Sequence, residues 1–276
     1  MLKIEKTDIH GWEAAIRGAR NSFNSWDKSD SEFLTADGDH HDIMGNSGPW
    51  YGGDGWDEMI IGPNDVGLMK KLAKAGPSHA KYRRFITVTM DVTGPLYWWK
   101  EMDTYKVGTV GNSCSTMHKI ADKEFELEDF SCEHLEDIEN VYYASNALYW
   151  PYFKQAFKEM INLLNTARTM YLETKDKNYW WQMIQLLPSS YNQKRTLLVN
   201  YEVLANIYHQ RKGHKLDEWG TFCEWIEGLP MSEIITGEEP DNNTIEKVAE
   251  RFEKLGEGYT VSPEELKDLM KGDSND

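Results

Sequence analysis

Between residues 187 and 219 the chain reads LPSSYNQKRTLLVNYEVLANIYHQRKGHKLDEW, and inside that stretch the pattern of apolar residues changes period at one point. A chain with that pattern must run a strand directly into a helix. Residues 195–201 (RTLLVNY) make the strand, β-branched at Thr196 and Val199 and preceded by Pro188 and a polar SSYNQK turn. Asn200 ends it. From Glu202 onward, Val203, Leu204, Ile207 and Tyr208 fall at helical spacing until Gly213 supplies a stop. Arg211 stands at the C-terminal end of this helix and admits two readings: a cation complementing the helix dipole, or a charge placed for chemistry.

At 276 residues and 32.0 kDa the chain can bury a sizeable core, and one domain with appendages accommodates it. Hydrophobic content of 40%, with 11 Trp and 14 Tyr, marks a globular fold and not a disordered chain. The 46 acidic against 30 basic residues leave a net charge of −16, which disfavours a general nucleic-acid binder. A small nucleotide remains compatible, because it needs only a local positive site. Cys114, Cys132 and Cys223 form no CxxC pair, and an odd count suits a reducing cytoplasm. No apolar run is long enough to span a bilayer and the first residues, MLKIEKTDIHGW, lack an apolar signal core, so a soluble cytoplasmic protein is expected.

Along the chain, residues 12–22 (WEAAIRGARNS) read as a short helix. Residues 25–62 are rich in Gly, Asp, Ser and Trp without periodicity, as in a long functional or mobile insertion. The DGDHHD run at 37–42 lacks the His spacing of a dedicated metal site, and no metal is expected. Pro63 opens a helix to Gly76 whose buried face is Val66, Met69, Leu72 and Ala73. Residues 84–93 form a strand broken by Gly94-Pro95, and residues 96–105 a helix with Trp98 and Trp99 in the core. Residues 106–119 (KVGTVGNSCSTMHK) read as a small polar turn of ligand-contacting or ordinary surface type.

Residues 124–139 are acidic and peripheral, residues 144–174 a long helix with an apolar stripe, broken or begun near Pro151, and residues 179–187 a shorter one. After Pro230 the chain turns acidic, with two exposed helices at 242–254 and 262–271, the second capped by Ser262 and Glu265.

These pieces, in this order, resemble the flavin-dependent thymidylate synthase family. Leu187-Pro188, Val199-Asn200, Leu204, Asn206 and Arg211 match the family's LP turn, VN strand end and helix with its substrate-orienting Arg, without a gap. Residues 78–109 are similar, again ungapped, to its GH segment, FTF strand, AP break and Arg-His-Arg helix, and Ala19-Arg20-Asn21-Ser22 resembles its ARVS. The likeness spans about residues 10–25 and 60–230. It implies an α+β fold, a mixed sheet flanked by helices. Residues 1–230 would form that domain, with 25–62 as an inserted loop and 231–276 as an acidic helical C-terminal extension.

The resemblance also implies roles. Ser22, His79, Thr104, Tyr105, Lys106, Asn200 and Asn206 would contact FAD; Asn112, Ser115, His118 and Lys119 would contact the nucleotide; Arg211 would hold and polarise the pyrimidine. NADPH and methylenetetrahydrofolate would be co-substrates, dUMP the substrate, and the site would lie between subunits of a homotetramer. The chain departs from the family where Arg-His-Arg becomes Thr104-Tyr105-Lys106, where Met117 or Thr116 replaces one Arg, and where Ile184 replaces another. The family's phosphate-contacting serine falls on Cys114 without a gap, or on Ser115 if the Asn-to-Ser step from Asn112 is kept. Lost guanidiniums leave Lys106, His118, Lys119, Arg83 and Arg84 to rebuild a phosphate site. The alternatives are a relative acting on another pyrimidine nucleotide by hydroxymethyl transfer, a non-catalytic nucleotide-binding descendant, and an enzyme using Cys114 as a nucleophile.

Overall fold

The computed structural model describes residues 1–34, 58–137, 141–142, 148–149 and 152–238. Its elements run β1 (Lys3–His10), α1 (Trp12–Asn21), β2 (Glu32–Leu34), β3 (Glu58–Ile60), α2 (Pro63–Lys74), β4 (Thr87–Pro95), α3 (Leu96–Met102), β5 (Val110–Ser113) and α4 (Thr116–Lys119). They continue with β6 (Val141–Tyr142), β7 (Leu148–Tyr149), α5 (Phe153–Thr174), α6 (Lys177–Leu186), β8 (Asn192–Asn200), α7 (Tyr201–Arg211), α8 (Asp217–Glu227) and α9 (Glu233–Thr236). The fold is α+β. Four strands form one sheet in the order β1-β4-β8-β5, and β2-β3 and β6-β7 are separate two-stranded ladders.

The four-stranded sheet is antiparallel, not mixed. The cause is visible at the strand ends. Leu96, just past β4, donates its N–H to Tyr191, just before β8, and Tyr201, just past β8, donates to Ile86, just before β4. The long connection between the two strands therefore returns at the end it left. A parallel pair would need a crossover to the opposite end.

The chain divides into two compact units: Met1–Lys3, Asp91–Thr104 and Gly111–Thr196 in the first, and Ile4–Met90, Tyr105–Val110 and Leu197–Asp276 in the second. In the first unit, α5 and α6 pair as a helical hairpin. The hairpin turns at Lys175, in the left-handed region, and at Asp176, whose carboxylate caps α6 by accepting from Asn178 N–H at 2.9 Å. Ile161, Leu164, Ala167 and Met183 bury against Phe125 and Phe130. Residues 124–139 thus give two aromatics to the core, against the expectation of a wholly peripheral segment. Trp98 and Trp99 are both buried, as core, with their rings edge to face.

In the second unit α1 buries Trp12, Ala15, Ile16 and Ala19, an i, i+3, i+4, i+7 stripe. A 3-10 turn, Lys81–Arg84, packs against both α1 and α7 and buries Tyr82 and Arg83. That turn is why β4 starts at Thr87 and not at residue 84. Gly11 takes φ 93°, and a Cβ there would fall 2.0 Å from the Phe85 carbonyl oxygen, so only glycine starts α1 this way.

Tertiary pairing overrides local propensity in several places. β8 begins at Asn192, inside the expected SSYNQK turn, and β4 continues through Gly94-Pro95. Residues 110–113 pair as an edge strand where a turn was expected, and α5 starts only at Phe153, with Leu148–Tyr149 in a ladder. On α2 the buried positions are Asp65, Met69 and Leu72, while Val66 and Ala73 are only half-buried. Met231, Ile234 and Ile235 are buried, with α9 packed on α2 and α7. The expected helices at 242–254 and 262–271 and the DGDHHD run lie outside the described residues. Among the described residues no helix is long and apolar enough to cross a membrane.

Candidate functional site

The residues singled out in the sequence fall into the two units. Ser22, His79, Tyr105, Lys106, Asn200, Asn206 and Arg211 belong to the second, and Thr104, Asn112, Ser115, His118 and Lys119 to the first.

In the second unit α7 organises the group. Asn200 is its N-cap: the side-chain oxygen accepts the Val203 N–H at 3.0 Å, satisfying one of the helix's orphan donors. Val203, Leu204, Ile207 and Tyr208 are buried as the spacing predicts, which turns Asn206 outward to solvent. Arg211, half-buried, is the last residue of α7. Its Nε donates to the Tyr105 hydroxyl at 2.8 Å, its guanidinium lies 4.6 Å from the Trp219 ring centre, and Nη1 is 3.3 Å from His214 Nε2. Tyr105 and Trp219 meet edge to face at 6.1 Å. The dipole reading of Arg211 accounts for its place on the helix but not for the Trp219 indole and the Tyr105 phenol beside it.

Ser22 follows α1, and His79 precedes the 3-10 turn that α1 and α7 share. Ser22, His79 and Asn206 are exposed, and their side chains form no hydrogen bond among the described residues. A flavin ring edge alternates carbonyl oxygens and N–H groups, which a hydroxyl, an imidazole and an amide suit, and the exposed Lys106 would supply a cation for its pyrophosphate. The donor set of this unit fits FAD.

The first unit is less well provided. Thr104 turns its hydroxyl back onto the Glu101 carbonyl at 2.7 Å. Asn112 on β5, Ser115 just before the short α4 and His118 within it are all exposed. Cys114 is tied to β8 through its backbone: its N–H donates to the Lys194 carbonyl, and its own carbonyl accepts from Gln193 Nε2 at 3.1 Å. Lys119 pairs with Asp122 at 2.8 Å, and that hydrogen bond raises its pKa. Ile184 packs against the aromatic core, and Met117 gives only its carbonyl, to Trp180 Nε1 at 3.2 Å. Of the two positions where the resembled family has guanidiniums, Ile184 is apolar here, and the other falls on Met117 or Thr116, neither of them a cation.

Sequence reasoning missed α8 altogether, and with it Trp219. It also passed over Gln210, His214 and Gly108. The signal for α8 was present: Trp219, Phe222, Cys223 and Ile226 have the i, i+3, i+4, i+7 spacing, and all four are buried.

No protein-family model and no curated protein sequence matches the chain. Solved structures do. Thymidylate synthase X from Helicobacter pylori, with FAD and dUMP, aligns at a TM-score of 0.53 and 14% identity over 85% of this chain and 96% of that one. A second structure of the Helicobacter pylori flavin-dependent enzyme, also with FAD and dUMP, gives 0.54 and 14% over 86% and 99%. PolB from Streptomyces cacaoi, a UMP/dUMP methylase bound with 5-bromo-UMP, gives 0.52 and 12% over 86% and 95%. The chain has the fold of the flavin-dependent thymidylate synthases.

Proposed function

We propose that the protein methylates dUMP to dTMP in a flavin-dependent reaction, with methylenetetrahydrofolate as carbon donor and NADPH as reductant. The observation that carries this reading is Arg211, held half-buried at the end of α7 by Tyr105 and Trp219. A guanidinium with a fixed plane presents parallel donors to a planar ring carrying carbonyl oxygens. Arg211 orients the uracil through those carbonyls and stabilises the electron-rich, enolate-like form of the ring from which C5 attacks the one-carbon unit. Ser22, His79, Asn200 and Asn206 of the second unit supply polar contacts for the flavin, with Tyr105 and Lys106 of the same unit. When bound and reduced by NADPH, FAD supplies the hydride that takes the transferred carbon from the methylene to the methyl level. Asn112, Ser115, His118 and Lys119 hold the nucleotide's phosphate side.

The exposure of Ser22, His79 and Asn206 in a single chain supports a pocket completed by further copies, and a homotetramer in the cytoplasm is the assembly this reading expects. The loss of guanidiniums at Ile184 and at Met117 or Thr116 favours a second reading, hydroxymethyl transfer to a pyrimidine nucleotide other than dUMP.

One set of measurements separates these readings. The purified protein, or protein reconstituted with FAD, is expected to show a flavin absorbance band, and to release tritium from C5-labelled dUMP. Release from labelled UMP or dCMP instead selects the second reading. A colourless protein that cannot be reconstituted sinks both and leaves a binding module. Arg211→Ala is expected to lower turnover by about 10²-fold or more with the melting temperature retained, a loss in the range seen for removed transition-state donors. Unchanged turnover refutes the role given to Arg211.

A further inference from the structure

Tyr105 stands where the resembled family has the histidine of its Arg-His-Arg motif, and its hydroxyl is engaged twice. Arg211 Nε–H donates to the phenol oxygen at 2.8 Å, and the phenol O–H donates onward to Gln210 Oε1 at 3.0 Å. The two bonds form a directed chain. A phenol has one hydrogen, and committing it to Gln210 leaves the oxygen's lone pairs for the guanidinium. Each bond polarises the next, so the pair orients more strongly than either alone.

Besides the His214 ring 3.3 Å from Nη1, two features of Tyr105 and Trp219 restrict Arg211. The bond at Nε sets rotation about the outer end of the side chain, and the indole of Trp219, fully buried and 4.6 Å from the guanidinium carbon, limits its tilt. The Tyr105 ring lies 5.5 Å from the same carbon. Gln210 and Arg211 are adjacent at the end of α7, so one hydroxyl bridges neighbouring side chains that a helix otherwise sends in different directions. The segment carrying Tyr105 is also held at the other end of α7, where Gly108 has no Cβ to meet the Asn200 amide and Val203.

We propose that Tyr105 is the positioning residue of Arg211: its hydroxyl, bonded to Arg211 and Gln210 together, fixes the guanidinium plane against Trp219 and so sets how a uracil ring is received. This rests on the pyrimidine-binding reading of Arg211 and gives Tyr105 a task besides contact with FAD. An arginine side chain free to rotate loses rotamer freedom when it binds, and one fixed beforehand does not, so the expected effect lies in ring affinity.

The test uses the full chain and two readouts. In wild type the Arg211 Nε–H resonance, assigned with Arg211→Lys, is expected to exchange slowly with solvent, and in Tyr105→Phe at least about tenfold faster. By calorimetry on the same two proteins, dUMP affinity is expected to fall about tenfold at an unchanged melting temperature, the effect of losing one hydrogen bond to a charged group. Unchanged exchange or unchanged affinity in Tyr105→Phe overturns the proposal. Should that variant not fold, Gln210→Leu removes only the phenol's acceptor and is expected to weaken dUMP binding about threefold; no effect there overturns the proposal equally. Wild-type protein that binds no dUMP sinks the pyrimidine reading, while the exchange rate still decides whether Tyr105 holds Arg211.

Discussion

Asp65 is 1% exposed, and both oxygens of its carboxylate are engaged. Oδ1 accepts from Arg20 Nε at 2.6 Å, and Oδ2 accepts from the hydroxyls of Ser29 and Ser31, each at 2.7 Å. Burial pushes its pKa up, but the donors Ser31, Ser29 and Arg20 together outweigh burial and hold it below the ordinary 3.8. A folded-state value below the unfolded one means that ionised Asp65 contributes stability at neutral pH, and that this is lost as pH falls through the folded-state value. Asp65→Asn leaves Arg20 buried without its counter-charge and is expected to cost about 3–5 kcal/mol at pH 7. Urea midpoints should show that cost at pH 7 shrinking below pH 4; an equal cost at both pH values contradicts the argument. Arg20 was legible in the sequence as part of the Ala-Arg-Asn-Ser run. Its partner was not, because the pair spans 45 positions and Asp65 interrupts the apolar face that the helical period assigned to Val66.

At the scale of elements, α7 is the best-read part of the chain and the segment before β5 the worst. α7 announces itself because strand end, cap and apolar face are all local, whereas residues 105–110 take their conformation from α7, nearly 100 positions away. Gly108 shows how closely the two fit. It sits at φ 79°, and a Cβ there would lie 3.0 Å from Asn200 Nδ2 and 3.1 Å from a Val203 methyl. Gly108→Ala therefore meets a left-handed backbone penalty and a packed neighbour, and is expected to destabilise by about 1–2 kcal/mol. The same variant should also loosen Tyr105, so dUMP affinity should fall with stability. A melting curve and a titration on one sample check both, and an alanine tolerated without change in either removes Gly108 from the site's framework. β5 itself could not be read from GNS, which carries no strand propensity; only pairing with β8 makes it a strand.

For the whole molecule, motif spacing carried more than residue identity. Two ungapped stretches, 78–109 and 187–211, were enough to indicate a fold that solved structures share at 14% identity or less. Spacing survives because strand and helix lengths are set by packing, while individual contacts drift. The aromatic partners of Arg211 were hidden for different reasons: Tyr105 lies 106 positions away, and Trp219 stands close in sequence but on α8, a helix the spacing signalled and the reading passed over. The chain also carries an excursion whose two ends are joined: Glu32 faces Ile60, Phe33 faces Met59 and Leu34 faces Glu58 in an antiparallel ladder, and just below it Asp30 accepts N–H groups from Asn64 and Asp65. Such a neck is a natural graft point. Asn-Gly in place of residues 35–57 keeps Leu34 and Glu58 at hairpin spacing, and a melting curve of that variant beside the parent measures what the ladder and the clasp hold on their own. Between Leu34 and Glu58 the ladder and its carboxylate clasp fix the spacing and direction at which any sequence leaves and rejoins the second unit.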